Sequence, residues 1–325
     1  MPTKKAFAVL CSGGDGPGMN SAIRSVVRTA LSRDMNAYGI LHGYQGLLDR
    51  ESIPMDLSSV GNIIQRGGTV LHSSRCPDFR HKEYRQKAYE YLKELGCSGL
   101  IVIGGNGSYN GAHAFHEETN FPVACIPGTI DNDIAGTAYS IGFDTALNTA
   151  VSAIDKIRDT ATSHERTFMV EVMGRSSGMI AITVAIATGA ESVIFPDLNV
   201  DLEGVAQTIK RGRERGKKSS IIIVAEGEKE GLGHGYQNQL LNKHGIDSKL
   251  CILGHIQRGG TPTPRDRFLG AKMGNMAVNC LVEGGTSHAM VVEGGKFKTT
   301  TLGECLSKRN DFDEDLLNLL NTLAL

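Results

Sequence analysis

The sequence predicts an α/β protein of two lobes, each a mostly parallel sheet covered by helices. Short runs of Val, Ile and Leu recur along the chain, each followed by a glycine-rich corner and an apolar pattern of helical period. Forty glycines in 325 residues exceed the usual roughly 7% and concentrate at those corners. A second series of such strands begins at Thr167, after a helical stretch, and makes the second lobe.

Ala6 to Cys11 is the first strand, Ser12-Gly13-Gly14-Asp15-Gly16-Pro17-Gly18 its corner, and Asn20 to Leu31 a helix burying Ala22, Val26 and Ala30. Glycine lets an anion approach backbone N–H groups, and a helix start adds orphan donors and a favourable dipole, so this corner can cradle a phosphate. A tight strand-to-helix turn is the plainer alternative. On the other helix face Arg24 and Arg28 stand at i, i+4, where they repel unless an anion lies between them; solvated surface arginines are the commoner outcome. Leu100 to Ile103 is the next buried strand, and Gly104-Gly105-Asn106-Gly107-Ser108 turns into a helix beginning near Tyr109. Two such corners at the carboxyl ends of parallel strands would flank a ligand crevice, and a nucleotide is the economical ligand.

Val123 to Ile126 is a further strand, and Pro127-Gly-Thr-Ile-Asp-Asn-Asp133 reads as the loop at its end. In an extended loop Asp131 and Asp133, at i and i+2, would point the same way while Asn132 points elsewhere. One carboxylate can then act as a base and the other as a Mg2+ ligand, although a solvated turn accounts for the same residues.

Ala146 to about Ser163 is a helix with apolar Leu147, Val151, Ile154 and Ile157 beside Arg158. Beyond it Thr167 to Val172, Ser192 to Phe195, Ser220 to Ala225 and Lys249 to Leu253 read as strands, with helices at Gly178 to Thr188 and Asp201 to Arg215. Their corners carry Arg166, Met173-Gly174-Arg175, Glu226 and His255-Ile256-Gln257-Arg258. Taken together these suit a sugar phosphate, since Arg binds phosphate bidentately and a carboxylate accepts from hydroxyls; each alone is more often a surface residue.

Composition narrows the partners. A formal net charge of −1 supplies no general attraction to nucleic acid or to a membrane surface, so any anion must be met by locally clustered cations. No run of eighteen apolar residues occurs, and the start lacks the apolar region of a secretory signal, so a cytoplasmic location is expected. Seven cysteines without a Cys-x-x-Cys pair suit reduced thiols rather than disulfides or structural zinc.

The stretches Ser12 to Asn20 (SGGDGPGMN), Gly67-Gly68-Thr69, Gly104 to Ser108, Pro127 to Asp133, Glu171 to Arg175 (EVMGR) and Leu253 to Gly260 (LGHIQRGG) span most of the chain and together resemble the bacterial-type, ATP-dependent 6-phosphofructokinases. The resemblance implies the phosphofructokinase fold, and phosphoryl transfer from ATP to O1 of fructose 6-phosphate with Mg2+, in a homotetramer with sites shared between subunits. It implies a nucleotide-binding lobe of residues 1–142 and 262–310, a sugar-phosphate-binding lobe of 143–261, and a C-terminal helix in 311–325. By position, Asp131 resembles the base, Thr129 and Arg175 its catalytic partners, and Asn106 and Asp133 the metal residues. Gly14, Tyr44, Arg75, Cys76, Gly105, Asn106, Gly107 and Ser108 match ATP contacts. Thr129, Asp131, Arg166, Met173, Gly174, Arg175, Glu226, Lys249, His255 and Arg258 match substrate contacts, Arg166 reaching a neighbouring subunit. Arg24, Arg28, Arg158, Gly189, Glu191, Arg215 and Lys217 match an effector site for ADP or phosphoenolpyruvate, Glu191 as the partner of effector-bound Mg2+. The five cations of that set are expected to have little local compensation.

Asn106 stands where the family usually has an aspartate, so the metal loses a charge; Lys249 replaces an arginine and loses its bidentate fork. Leu57 and Ser219 replace an arginine and a histidine of the effector site, so weakened control is expected. Glycines at 107 and 128, where pyrophosphate-dependent relatives typically carry Asp and Lys, favour ATP as donor. Pyrophosphate dependence, or a weakly active regulatory paralogue because of Asn106, are the alternatives.

Overall fold

The computed structural model describes residues 4–195, 201–227, 231–308 and 314–324, in two compact units, Met1–Thr145 with Arg258–Asn310 and Ala146–Gln257 with Asp311–Leu325. The first unit runs β1 (Ala6–Ser12), α1 (Met19–Ser32), β2 (Asn36–Ile40), α2 (Tyr44–Leu48), β3 (Ser52–Met55), α3 (Lys82–Glu94), β4 (Cys97–Gly104), α4 (Asn106–Thr119), β5 (Val123–Thr129) and β6 (Ile141–Gly142). α5 (Phe143–Ser163) carries the chain into the second unit, with β7 (Thr167–Val172), α6 (Met179–Thr188), β8 (Ser192–Ile194), α7 (Leu202–Glu214), β9 (Ser220–Ala225), α8 (Leu232–His244) and β10 (Ser248–Ile252). α9 (Pro264–Val282), β11 (Ser287–Glu293), β12 (Lys296–Thr301) and α10 (Leu302–Ser307) belong to the first unit, and α11 (Glu314–Leu323) to the second. Residues 311–313 and 325 of the expected C-terminal helix lie outside the described residues.

The first sheet has the order β12-β11-β5-β4-β1-β2-β3, with β6 beside β5. All pairings are parallel except β11–β12 and β2–β3 at the two edges. Every residue of β1 is buried because the strand has no polar face. Phe7, Val9 and Cys11 pack into one core with α1 and α9, while Ala6, Ala8 and Leu10 pack into another with α3 and α4. α1 lies close against α9, where Ser21 Oγ donates to the Arg267 carbonyl at 2.6 Å and Ser25 Oγ to that of Ala271 at 2.5 Å.

Register decides where the corners fall. Ser12 pairs with Gly104 and Gly104 with Pro127, so β1, β4 and β5 end side by side and their three corners are neighbours. Two expectations are corrected here. β5 continues to Thr129, because β6 supplies partners for Gly128 and Thr129, so Pro127 to Thr129 are strand rather than loop. α4 begins at Asn106 rather than near Tyr109, with Gly105 in extended conformation before it.

The second unit holds a parallel sheet of order β10-β7-β9-β8. Met169, Ile222 and Val224 from its strands meet Val205 and Ile209 of α7 and Leu240 of α8 in one core. α7 starts where an N-cap is supplied, the Asp201 carboxylate accepting from the Gly204 N–H at 2.8 Å. Among the described residues no helix is long and apolar enough to cross a membrane.

Candidate active site

Thr129 ends β5, and the chain then turns through Ile130 and Asp131. Asn132 has left-handed backbone (φ 50°), its Nδ2 donates to the Ala138 carbonyl at 3.1 Å, and its Oδ1 accepts from the Ser140 N–H at 2.8 Å. Ser140 Oγ closes the turn by donating to the Thr129 carbonyl at 2.6 Å. The extended backbone that the alternation of Asp131 and Asp133 assumed is therefore interrupted at Asn132. Asp131 is buried, 7% exposed, and Asp133 is half-buried. Across from this loop, Asn106 Nδ2 donates to the Asp133 main-chain carbonyl at 3.2 Å.

The other two corners are built on the same strand ends. Ser108 Oγ donates to the Ser12 carbonyl at 3.0 Å, tying the start of α4 to the end of β1. Arg258 lies over the first corner and donates from Nη1 to the Asp15 carbonyl at 3.0 Å. A Cβ on Gly14 would stand 2.6 Å from that nitrogen, so glycine is what lets the guanidinium settle there. Arg258, expected among the sugar contacts, thus rests on the glycine-rich corner after β1.

Tyr44 is buried beneath the site. Its hydroxyl donates to the Ser108 carbonyl at 2.6 Å, its ring stacks on Phe79 at 3.9 Å, and burial pushes its phenol well above the ordinary range. Arg75 is exposed and Cys76 half-buried, with a thiol raised chiefly by burial. At Gly107 an added Cβ would meet nothing within 4 Å. At Gly128 it would stand 2.8 Å from Ile103 Cγ2, so this glycine answers to core packing as well as to any ligand.

In the second unit β7, β9 and β10 also end together. The Glu226 N–H donates to the Val172 carbonyl at 2.9 Å and the Leu253 N–H to that of Glu171 at 3.0 Å. That brings Met173-Gly174-Arg175, Glu226 and His255 to one end of the sheet. Met173 is buried, Glu226 half-buried, and Arg175 and His255 exposed. Arg175 has left-handed backbone (φ 46°). Lys249 is exposed and pairs with Asp247 at 3.5 Å; Arg166 is exposed on the approach to β7, at the opposite end of that strand.

Two buried carboxylates outside the expected site residues each hold a helix start within their own unit. Glu171 is buried and accepts from the Gly233 N–H in the first turn of α8 at 2.8 Å. Asp266 is fully buried and accepts from the N–H of Gly142 at 2.9 Å and of Thr145 at 2.8 Å, which holds the start of α5; burial raises its carboxyl. Asp266 had a legible local sign, since Thr263-Pro264 just before it is a helix start, and Thr263 Oγ1 accepts from its N–H. Its long-range partners had none.

A phosphofructokinase family profile matches residues 6–281. The chain belongs to the phosphofructokinase family. It is 48% identical to the ATP-dependent 6-phosphofructokinase of Bacillus mycoides (strain KBAB4) over 321 residues, 99% of this chain and 100% of that one. Phosphofructokinase from Saccharomyces cerevisiae superposes with a TM-score of 0.87 at 32% identity, over 99% of this chain and 48% of the yeast chain, so this chain spans about half the length of that relative. Pyrophosphate-dependent phosphofructokinase from Marinobacter aquaeolei shares the fold, with a TM-score of 0.84 at 19% identity over 98% of this chain and 91% of the other.

In this phosphofructokinase-family chain the residues matched to an effector site fall in both units. Arg24 and Arg28 lie on α1, the first half-buried and the second exposed. In the second unit Arg158 donates to the carbonyls of Thr188 at 2.5 Å and Gly189 at 3.2 Å. Lys217 forms an ion pair with buried Glu191, which also accepts from the Ile221 N–H. The expectation of cations with little compensation is corrected at Lys217: Glu191 is its counter-ion. Arg215, at the end of α7, is exposed.

Proposed function

We infer that this chain transfers a phosphoryl group from ATP to O1 of D-fructose 6-phosphate, giving fructose 1,6-bisphosphate and ADP, a committed step of glycolysis. The observation that carries this reading is 48% identity across 99% of the chain to proteins named ATP-dependent 6-phosphofructokinase. The geometry supports it from below, because phosphoryl transfer asks for positioning and charge neutralisation more than covalent chemistry. Asp131 takes the O1 proton, Thr129 positions the reacting groups, and Arg175 neutralises charge on the group in transit.

The first unit takes the nucleotide through Gly14 and the Gly105–Ser108 start of α4, with Arg75 and Cys76 at its rim and Tyr44 acting from beneath by holding the Ser108 carbonyl. The second takes the sugar phosphate through Met173, Gly174, Glu226, Lys249 and His255, and Arg258 serves a phosphate from its place on the corner. Arg166 acts across a subunit boundary of a cytoplasmic homotetramer. Among the described residues no group of three or more His, Cys, Asp or Glu side chains could hold a metal ion. This fits Mg2+, which keeps several waters and rests largely on substrate phosphates. Asp133 is the carboxylate for it, with the Asn106 amide oxygen as neutral partner, and the ion supplies charge neutralisation at the phosphates when bound.

Steady-state coupled assays with fructose 6-phosphate, Mg2+ and either ATP or pyrophosphate test the donor. Turnover at least about tenfold faster with ATP is expected; equal or faster turnover with pyrophosphate overturns the reading.

A further inference from the structure

We propose that Asn106 is a positioning residue, tying the phosphate corner at the start of α4 to the carboxylate loop after β5 by donating from Nδ2 to the main-chain carbonyl of Asp133. The bond is 3.2 Å long and joins residues 27 apart in sequence. Its direction follows from chemistry, because only the NH2 end of an amide can face a carbonyl; the reversed amide would set two acceptors against each other.

Both ends of the tie are themselves held. Asn106 is the first residue of α4, and its own carbonyl accepts from Asn110 Nδ2 at 2.9 Å. The loop is fastened to its own strand through Asn132, Ser140 and Thr129. Asn106 adds a link from Asp133 to the corner of the neighbouring strand β4, whose Gly104 pairs with Pro127. An aspartate at 106 has nearly the same shape but no hydrogen to donate, and its carboxylate would repel the carbonyl. The asparagine therefore fixes the loop before any ligand arrives, where a carboxylate would await a cation. The catalytic consequence rests on the functional reading above; the tie itself does not.

Hydrogen–deuterium exchange of the 128–136 segment, measured on the full chain in EDTA without nucleotide, reads the tie directly. Asn106→Ala and Asn106→Asp should both speed exchange there by about fivefold, the worth of one net hydrogen bond. Under saturating fructose 6-phosphate and Mg2+, Asn106→Asp, which keeps an oxygen for the metal but loses the donor, should lower kcat about tenfold with the KM for ATP within about threefold, because Asp131 is misplaced while the corner's backbone donors are untouched. Unchanged exchange in both variants overturns the tie, and faster exchange with parental kcat overturns the positioning role. An Asn106→Asp enzyme faster than the parent does so too, since residue 106 would then act chiefly through charge. A parent chain with no phosphoryl transfer sinks the functional reading alone, because the exchange measurement still decides the tie.

Discussion

Asp131 carries the heaviest chemical duty in the proposed reaction, because the O1 proton must leave as the phosphoryl group arrives. Asp131→Asn keeps the shape but removes the base, so kcat should fall by about a thousandfold while the KM for fructose 6-phosphate stays within about threefold. Turnover within about tenfold of the parent would show that another group takes the proton. Gly128 makes a different prediction. A Cβ there would stand 2.8 Å from Ile103 Cγ2 and 3.1 Å from Met19 Cε, so Gly128→Ala should lower stability by about 1–3 kcal/mol. Thermal melting of the parent and variant checks it, and an unchanged midpoint would mean that the corner has room to spare. The residue types of this site were legible along the chain, but their directions were not. Alternation assumed an extended loop, and Asn132 instead takes left-handed backbone; nothing local could tell that its side chain would fold back onto Ala138 and Ser140.

Helix α4 is aligned from outside by α3. Arg85 donates from Nε and Nη2 to the Glu118 carboxylate at 2.8 and 2.5 Å and from Nη1 to the Phe79 carbonyl at 2.7 Å. The Arg85 hydrogen bond, ahead of the opposing desolvation, holds the Glu118 carboxyl below its usual 4.5. A depressed folded value means that the pair's stabilisation is present above about pH 4.5 and is lost as pH falls through the folded value. Glu118→Gln should therefore cost about 1–2 kcal/mol at pH 7, and the cost should shrink in more acidic solution. Urea unfolding at several pH values measures this, and a difference independent of pH would assign the cost to packing. Strands such as Ala6–Ser12 and Thr167–Val172 could be read in advance because their apolar runs end at glycine-rich corners. β6 has only two residues and no period, yet it lengthens β5 by pairing Gly128 and Thr129. The start of α4 at Asn106 carries little local sign for a related reason, since glycine and asparagine are poor helix formers.

At the scale of the whole molecule the question is control. Arg24, Arg28, Arg158 and Arg215 remain candidates for a phosphate-bearing effector, whereas Lys217 is already matched by Glu191. With uncharged Leu57 and Ser219 adding no cation, ADP or phosphoenolpyruvate should shift half-saturation for fructose 6-phosphate by only a few-fold, at or below the usual roughly 1–3 kcal/mol of coupling. Sugar saturation curves that superimpose with and without each effector, and are unchanged in Arg24→Ala, would make these arginines ordinary surface charge. The central claim concerns which bond is made. Phosphorus NMR of the chain turning over ATP, fructose 6-phosphate and Mg2+ follows donor and product together: a new phosphate ester on carbon 1 should grow in step with ADP, and ADP accumulating without that ester, or an ester on another carbon, would contradict it.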